Sequence, residues 1–280
     1  MSISLPTYKL RETPLLGRRQ RVLAIVSTGL RREFRRPAAI FAIGVGSVIT
    51  TVTSIVLLLL APLLLPGQRL DLSFFFLPVS SPTILFFVTL MASVVGAGLI
   101  SDDLDSMAIS LYLSRPISHG DYVLAKAAIL GTLVATIAIL PLMITAIVAG
   151  LLGLFPWDVV LPAIGVSIAV GILLTAFYTT ITLFLSSMTR RKAYAAAGVF
   201  AITFGLTVPV EVLASQGSIG NPVLLYLSPW DNFLAVARVA FGAAPAPIDW
   251  SASLGILLLI MVLAGLVTNA RMRSMEVVTG

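Results

Sequence analysis

The sequence predicts an all-α integral membrane fold, with six transmembrane helices and an amphipathic helix before the first of them. The 280 residues are 58% hydrophobic and only 11% charged, and their mean hydropathy is +1.06. A soluble domain of this size carries about twice that share of charged residues. Long apolar runs are separated by short polar breaks, the pattern of helices that satisfy their own backbone hydrogen bonds in lipid. Cysteine is absent, which excludes a disulfide framework, a thiolate nucleophile and a cysteine metal site.

The amino-terminal unit, residues 1–37, is expected to hold a polar start and one amphipathic helix, Arg18 to Arg36. Its arginines fall mostly on one side, and most of its apolar residues fall on the other: Val22, Leu23, Val26, Leu30 and Phe34. This pattern is typical of a helix in the membrane interface, with its arginines toward anionic headgroups. A solvated basic helix is the alternative.

Six spans follow within residues 38–270, which form the predicted transmembrane domain. Their expected bounds are Ala38–Leu65, Pro82–Ile100, Tyr122–Leu152, Val160–Ser186, Ala193–Ala214 and Ser251–Ala270. The third is longer than a bilayer requires, so it is expected to project beyond the bilayer or to bend near Pro141.

The distribution of basic residues predicts the orientation of the chain. Placing the amino terminus in the cytoplasm puts sixteen of the eighteen lysines and arginines inside, and leaves only Arg69 and Arg238 outside. Both termini are therefore expected in the cytoplasm, with residues 271–280 as a tail. The net charge of +6 then reflects membrane topology, and nucleic acid is not expected as a partner.

The stretch from Ser101 to Lys126 lies on the predicted cytoplasmic side, between the second and third spans. Ser101 is interpreted as the N-cap of a short helix over about 102–113, with three aspartates in its first turn. Leu104, Met107, Ala108 and Leu111 would then form one apolar stripe. Pro116 ends that helix, and Ser118 with Asp121 has the spacing of a cap for the next one.

The larger outer segment, residues 215–250, is expected to contain a second short helix. Ser228 is its predicted N-cap, Pro229 its first residue, and Asp231 lies in its first turn. Trp230 and Trp250 suit interface anchors, and Phe74, Phe75 and Phe76 of the first outer loop are placed at headgroup level. The functional alternative is an outer gate formed by Glu211, Trp230 and Phe233.

The chain carries no pattern expected of an enzyme. A phosphate-binding P-loop needs a lysine after glycine, and none of Lys9, Lys126 and Lys192 follows one. His119 is a lone histidine at a helix start, where a capping role is the simpler interpretation. The aspartates near residue 103 fit no familiar metal spacing. We therefore predict no catalytic residue, no metal site and no cofactor bound by this chain.

These features together resemble the membrane permeases of type-2 ATP-binding cassette (ABC) exporters. The resemblance rests on the acidic start at Asp102, the segment LYLSRPIS (Leu111–Ser118), Asp121–Tyr122, Lys126 and the segment LSPW (Leu227–Trp230). The order of the elements agrees over nearly the whole chain. The resemblance implies an elbow helix at the amino terminus and a coupling helix between spans two and three that docks on a separate cytoplasmic ATPase.

The resemblance also implies the partners and the roles of individual residues. Two ATPase subunits, which bind ATP and magnesium, would pair with two permeases, identical or related, in the plasma (inner) membrane of a prokaryote, among its lipids. The ATPase-docking residues would be Asp102, Asp103, Leu104, Asp105, Met107, Ala108, Leu111 and Arg115. Pro116, Ser118 and Asp121 would keep the coupling lever stiff.

Other functions stay open at this point. The chain could be a membrane anchor or sensor that recruits a cytoplasmic partner without transport, or a facilitator that works without ATP. An intramembrane hydrolase would need paired catalytic groups, which the apolar spans do not offer. The substrate is not indicated, since lipids, peptides, drugs and other amphiphiles all suit such a path.

Overall fold

The computed structural model describes residues 17–64, 71–107, 118–215 and 221–274, and it is helical throughout these ranges, without strands. Six helices within them are long and apolar enough to cross a membrane, which confirms the predicted fold class. The spans are Pro37–Leu64, Pro82–Asp105, His119–Leu151, Trp157–Met188, Lys192–Ser215 and Trp250–Ser274, numbered one to six below. The ends are called inner and outer after the predicted orientation.

Helices outside the spans lie at both ends of the bundle. The amino-terminal helix, Arg18–Glu33, precedes span 1. On the outer side, a 3-10 turn Leu72–Phe75 leads into the short helix Phe76–Val79, and a second 3-10 turn, Pro222–Leu227, leads into the outer helix, Pro229–Ala240. The outer helix begins as predicted, because Ser228 Oγ accepts a hydrogen bond of 3.2 Å from the Asp231 amide.

Three spans are interrupted along their length. Span 3 breaks at Ile139, between the helices His119–Ala138 and Leu140–Leu151, which confirms the bend expected near Pro141. Spans 2 and 5 each contain one π-helical turn, Ala92–Gly96 and Ala201–Gly205. Such turns widen a helix by one residue and are frequent at functional sites.

Span 2 is the central helix of the bundle. In its most apolar stretch 72% of the residues are buried, against 22% for each of spans 1, 5 and 6. Gly96, in its π turn, lies against both neighbours: an added Cβ would meet Thr182 Cγ2 of span 4 at 2.5 Å and Leu130 Cδ2 of span 3 at 2.8 Å. The missing side chain therefore permits this close three-helix contact.

The aromatic residues of the first outer loop are buried against the rest of the protein. Phe74, Phe75 and Phe76 are only 3%, 2% and 6% exposed. The rings of Phe74 and Phe75 pack on Phe155, with centroids 6.1 Å and 4.9 Å away, and the Arg238 guanidinium of the outer helix lies 4.8 Å from the Phe76 ring centroid. Aromatic packing and the outer helix therefore cover these rings, and their placement at headgroup level stays a prediction.

Replacing Gly96 with valine is expected to lower the free energy of unfolding by about 1–3 kcal/mol, since the added atoms overpack the contact between spans 2, 3 and 4. Thermal unfolding of the detergent-solubilised protein, followed by tryptophan fluorescence, measures the change. Gly165→Val in span 4 is the matched control, because nothing lies within 4 Å of the Cβ it adds. Equal melting temperatures for the two variants would contradict the packing assigned to Gly96.

Candidate functional site

The inner end of span 2 continues as a helix through the residues expected to begin a new one. Ser101 is fully buried, and its Oγ donates a 2.7 Å hydrogen bond to the Ala97 carbonyl, one turn earlier in the same helix. The predicted N-cap at Ser101 is therefore wrong. No residue from Gly98 to Asp105 breaks the helix, and a serine that bonds back to its own helix does not cap another.

This correction places the three aspartates in the last turns of a helix instead of its first. Carboxylates at a helix C-terminus face the negative end of the helix dipole, so they need other stabilisation. Asp103 finds it on span 3: its Oδ2 lies 2.6 Å from Lys126 Nζ and accepts a 2.7 Å hydrogen bond from Tyr122 OH. Asp103 and Lys126 are 6% and 3% exposed, so this is a buried ion pair.

Span 4 is tied to the same part of span 2 through one hydroxyl. Ser186 Oγ donates to the Ala97 carbonyl at 2.7 Å and accepts from the amides of Ile100 and Ser101 at 3.1 Å and 3.0 Å. A side chain inserted into a backbone ladder in this way is a recognised cause of helix bending. The sequence analysis did not identify Ser186, since serine within an apolar span most often serves packing.

The amino-terminal helix joins span 3 at its start. Arg18 Nε lies 3.0 Å from both carboxylate oxygens of Asp121, and Arg18 Nη2 lies 2.8 Å from Oδ1. Asp121 also donates its amide to Ser118 Oγ at 3.2 Å, which confirms the predicted cap. The Arg18 side chain is 74% exposed, so this bridge contributes little stability and mainly fixes the angle between the two helices.

Further along, the same two helices approach closely. Gly29 lies against Ile129 of span 3, where an added Cβ would stand 2.3 Å from Ile129 Cδ1. Glu33, at the end of the amino-terminal helix, is fully buried and pairs with Arg32 at 3.1 Å and Arg36 at 3.0 Å. Glu33 and Arg32 act electrostatically on Lys126. The pairs of Glu33 with its arginines and the pair of Asp103 with Lys126 therefore belong to one charged cluster. The buried role of Glu33 was not predicted. The sequence signal that could have indicated it is that Glu33 is the single carboxylate in an arginine-rich segment.

The residues predicted to dock an ATPase fall into three groups. Asp103 faces the interior, and Asp102 and Leu104 are partly buried. Asp105 and Met107 are exposed, Met107 to 68%, and Met107 adopts a left-handed backbone with φ of 55° just after the helix ends. Ala108, Leu111, Arg115 and Pro116 lie outside the described residues, as does the second half of the predicted helix 102–113. The docking role of this segment stays a prediction.

At the outer end, two of the three predicted gate residues are buried side by side. Trp230 and Phe233 are 5% and 3% exposed, with ring centroids 5.2 Å apart. They close a narrow cleft whose other lining residues come from spans 4, 5 and 6 and the start of the outer helix: Leu173, Leu174, Phe177, Tyr178, Thr203, Leu257 and Pro229. Trp230 is therefore not an interface anchor, whereas Trp250 is 45% exposed.

Glu211, the third predicted gate residue, stays exposed near the outer end of span 5. Asp231 of the outer helix lies close enough to act on it electrostatically. Burial raises the pKa of the Asp231 carboxyl above its ordinary value, against the opposing effect of its hydrogen bond with Ser228. The outer side of the protein thus carries two neighbouring carboxyl groups.

Two residues that line the narrow cleft, Tyr178 and Thr203, belong to a hydroxyl cluster that joins three spans. Thr89 Oγ1 of span 2 is 2.8 Å from Tyr178 OH of span 4 and 3.2 Å from Thr203 Oγ1 of span 5. All three residues are buried. Their hydroxyl groups therefore need these hydrogen bonds, because neither lipid chains nor apolar side chains offer a hydrogen-bond partner. Span 2 is consequently fixed by polar contacts at both its inner and its outer half.

Within the described ranges, no group of three acidic, histidine or cysteine side chains is placed to hold a metal ion. The polar contacts at both ends of span 2 connect helices instead of converging on an open ligand position.

The chain matches a known protein family. The model of a family described as "ABC-2 family transporter protein" matches residues 22–273. None of the curated proteins matches the chain. The matched range begins within the amino-terminal helix and ends within span 6, so it includes all of span 2 and the contacts described above except the bridge between Arg18 and Asp121.

Replacing Lys126 with methionine is expected to lower the free energy of unfolding by about 3–5 kcal/mol, because the buried Asp103 carboxylate loses its cation. Lys192→Met is the control, since Lys192 is an exposed lysine at the start of span 5. Thermal unfolding in detergent measures both.

The double variant Lys126→Met, Asp103→Leu is expected to recover most of that loss, since apolar groups of similar volume replace a buried ion pair at little cost. If the double variant melts no higher than Lys126→Met alone, the destabilisation does not come from an unpaired Asp103 carboxylate.

Proposed function

Since the chain belongs to the ABC-2 transporter family, we propose that it exports its substrate with energy from separate ATPase subunits that dock on the loop between spans 2 and 3. Membership makes the chain the membrane permease subunit of an ABC transporter and a multi-pass protein of the plasma membrane. Export, the docking surface and the stoichiometry belong to the proposal.

The observation that carries the proposal is the way in which span 2 enters this loop. Its helix continues without a break to Asp105, and its last turns are held by span 3 through Asp103 and by span 4 through Ser186. A displacement applied at Asp105 is therefore passed to three spans together instead of being absorbed by a slack connection. Mechanical transmission of this kind is what a permease driven by an external ATPase requires.

The loop is also held on its far side. Ser118 caps span 3, Asp121 binds Arg18, and Gly29 lets the amino-terminal helix lie against Ile129. In the proposal these contacts make the amino-terminal helix an elbow that moves with the start of span 3. Pro116 would limit the flexibility of the preceding segment.

The proposed docking surface consists of the exposed end of span 2 and the segment that follows it. Asp102, Asp105 and Met107 would meet the ATPase first, and Ala108, Leu111 and Arg115 would extend the surface. Leu104 packs toward the bundle core and would support the surface from below. Asp103 is given a different role here, because its carboxylate already binds Lys126.

The complex is proposed to contain two permeases and two ATPases, with ATP and magnesium held by the ATPases. Spans 1 and 5 each leave most of their apolar surface uncovered, as Phe41 at 62% and Val208 at 54% illustrate. Such surfaces suit lipid and a second permease, identical or related. On the outer side, Trp230 and Phe233 would close the path and Glu211 would line its rim.

Replacing Asp105 with lysine is expected to reduce the amount of ATPase that copurifies with the epitope-tagged chain from its native membrane by about tenfold, because a reversed charge mismatches the partner surface. ATP hydrolysis in the eluate and immunoblotting of the permease measure the ratio. Asp158→Lys is the control, an exposed aspartate at the outer start of span 4.

Each outcome of this experiment decides between two interpretations of the chain's function or of its docking surface. A wild-type permease that purifies intact without any ATPase would overturn the ATP-driven mechanism and favour an anchor or a facilitator. An ATPase that stays with Asp105→Lys as well as it does with the wild type would place the docking surface elsewhere on the inner side.

A further inference from the structure

The end of the amino-terminal helix carries a dense group of cations, Arg31, Arg32, Arg35 and Arg36, here called the arginine edge. Arg31, Arg32 and Arg35 are exposed and Arg36 is partly exposed. Within residues 17–36, Glu33 is the one carboxylate, and it is fully buried. The accessible surface of this edge is therefore positively charged, and no exposed carboxylate from residues 17–36 lies among its arginines.

Glu33 holds two of these arginines in fixed positions. Arg32 Nε lies 3.1 Å from Glu33 Oε1, and Arg36 Nη1 lies 3.0 Å from Glu33 Oε2, while the two arginine side chains remain 50% and 40% exposed. Each guanidinium has five N–H donors, so several on each stay directed away from Glu33. Arg31 and Arg35 form no ion pair within the described part of the chain, which leaves their charges available to a ligand.

The arginine edge also lies at a defined depth relative to the lipid-facing surface. Pro37 begins span 1 directly after Arg36, and Ile40 and Phe41, one turn further, are 51% and 62% exposed. Four helical residues rise about 6 Å, so the guanidinium groups stand within one headgroup layer of side chains that face hydrocarbon. An anion bound here would lie at the level of lipid phosphates.

We propose that the arginine edge binds the headgroup of an anionic glycerophospholipid. Guanidinium groups bind phosphate oxygens through paired, charge-assisted hydrogen bonds. Four arginines lie within six residues here, and Glu33 holds two of them together. The acyl chains of the lipid would lie along the exposed face of span 1, beside Ile40 and Phe41. This continuity of charge with apolar surface distinguishes a phospholipid from a soluble phosphate, which would gain nothing from span 1.

The position of Glu33 links this lipid to the transport cycle. Glu33 pairs with Arg32 and Arg36 and is also close enough to act electrostatically on Lys126, the cation of the buried pair with Asp103. A lipid that holds Arg32 and Arg36 therefore fixes the end of the amino-terminal helix against the contact that ties span 2 to span 3. The bound phospholipid would stimulate ATP-driven coupling, a consequence that rests on the proposed function, whereas the binding itself does not.

Binding is tested with Arg31→Gln, Arg35→Gln, a double variant that leaves the Glu33 pairs intact. The detergent-solubilised protein is exposed to equal amounts of phosphatidylglycerol and phosphatidylcholine, and the retained lipids are counted by native mass spectrometry. The preference for phosphatidylglycerol is expected to fall about thirtyfold, since each arginine near an anionic bilayer contributes about a fivefold factor. Arg19→Gln, Arg273→Gln removes the same charge from two exposed arginines elsewhere and is expected to keep the preference.

Equal retention of the two lipids by the wild type, or an equal fall in both double variants, would overturn the proposed site. Inorganic phosphate at millimolar concentration is added in a separate arm, and displacement of phosphatidylglycerol by it would show a site for free phosphate instead of a lipid.

Regulation is tested on the permease–ATPase complex in bilayers of phosphatidylcholine alone or mixed with an equal part of phosphatidylglycerol. We expect phosphatidylglycerol to raise ATP hydrolysis severalfold in the wild type and in the Arg19, Arg273 variant, but not in the Arg31, Arg35 variant. Retained lipid without stimulation would overturn the regulatory link and leave the binding site standing. Absence of any ATPase would contradict the proposed function and leave the mass-spectrometric result unaffected.

Discussion

The buried ion pair between Asp103 and Lys126 is the contact on which the inner half of the molecule depends. A carboxylate in the last turn of a helix is disfavoured by the helix dipole, and burial adds a desolvation cost. The Lys126 ammonium and the Tyr122 hydroxyl offset both. Tyr122 and Lys126 lie one turn apart near the start of span 3, and both contact the Asp103 carboxylate of span 2. These two contacts fix the register of span 3 against span 2.

That register determines the position of the remaining inner elements. Asp121 precedes Tyr122 and points to Arg18, while Ile129, one turn beyond Lys126, meets Gly29, so the amino-terminal helix is aligned along the same part of span 3. Ser186 of span 4 then bonds to span 2 just before Asp103. Spans 3 and 4 thus meet about two turns of span 2, and the amino-terminal helix is joined to them through span 3.

Features that depend on local sequence were predicted well, and features that depend on a distant partner were not. The six spans follow from apolar length, and the caps at Ser118 and Ser228 follow from spacing alone. Ser101 has the same chemistry as a cap, yet its hydroxyl bonds within its own helix, because the neighbouring spans hold that helix through residue 105. The burial of Trp230 was not predicted either. An aromatic residue near a membrane surface can pack in the protein core or anchor the protein in the interface, and only its neighbours in the fold decide between the two.

The division of polar contacts along span 2 indicates where this helix can change shape. Its outer half is held at Thr89 by Tyr178 and Thr203, and its inner half at Ala97 and Asp103 by Ser186 and Lys126. Between the two lies the π turn Ala92–Gly96, where the hydrogen bonding widens to five residues, as from the Ala97 amide to the Ala92 carbonyl at 3.1 Å. Both flanking segments are fixed to neighbours, whereas no side-chain hydrogen bond within the described residues joins this turn to another span. A displacement of the inner half is therefore expected to change the angle at the turn before it breaks either set of contacts.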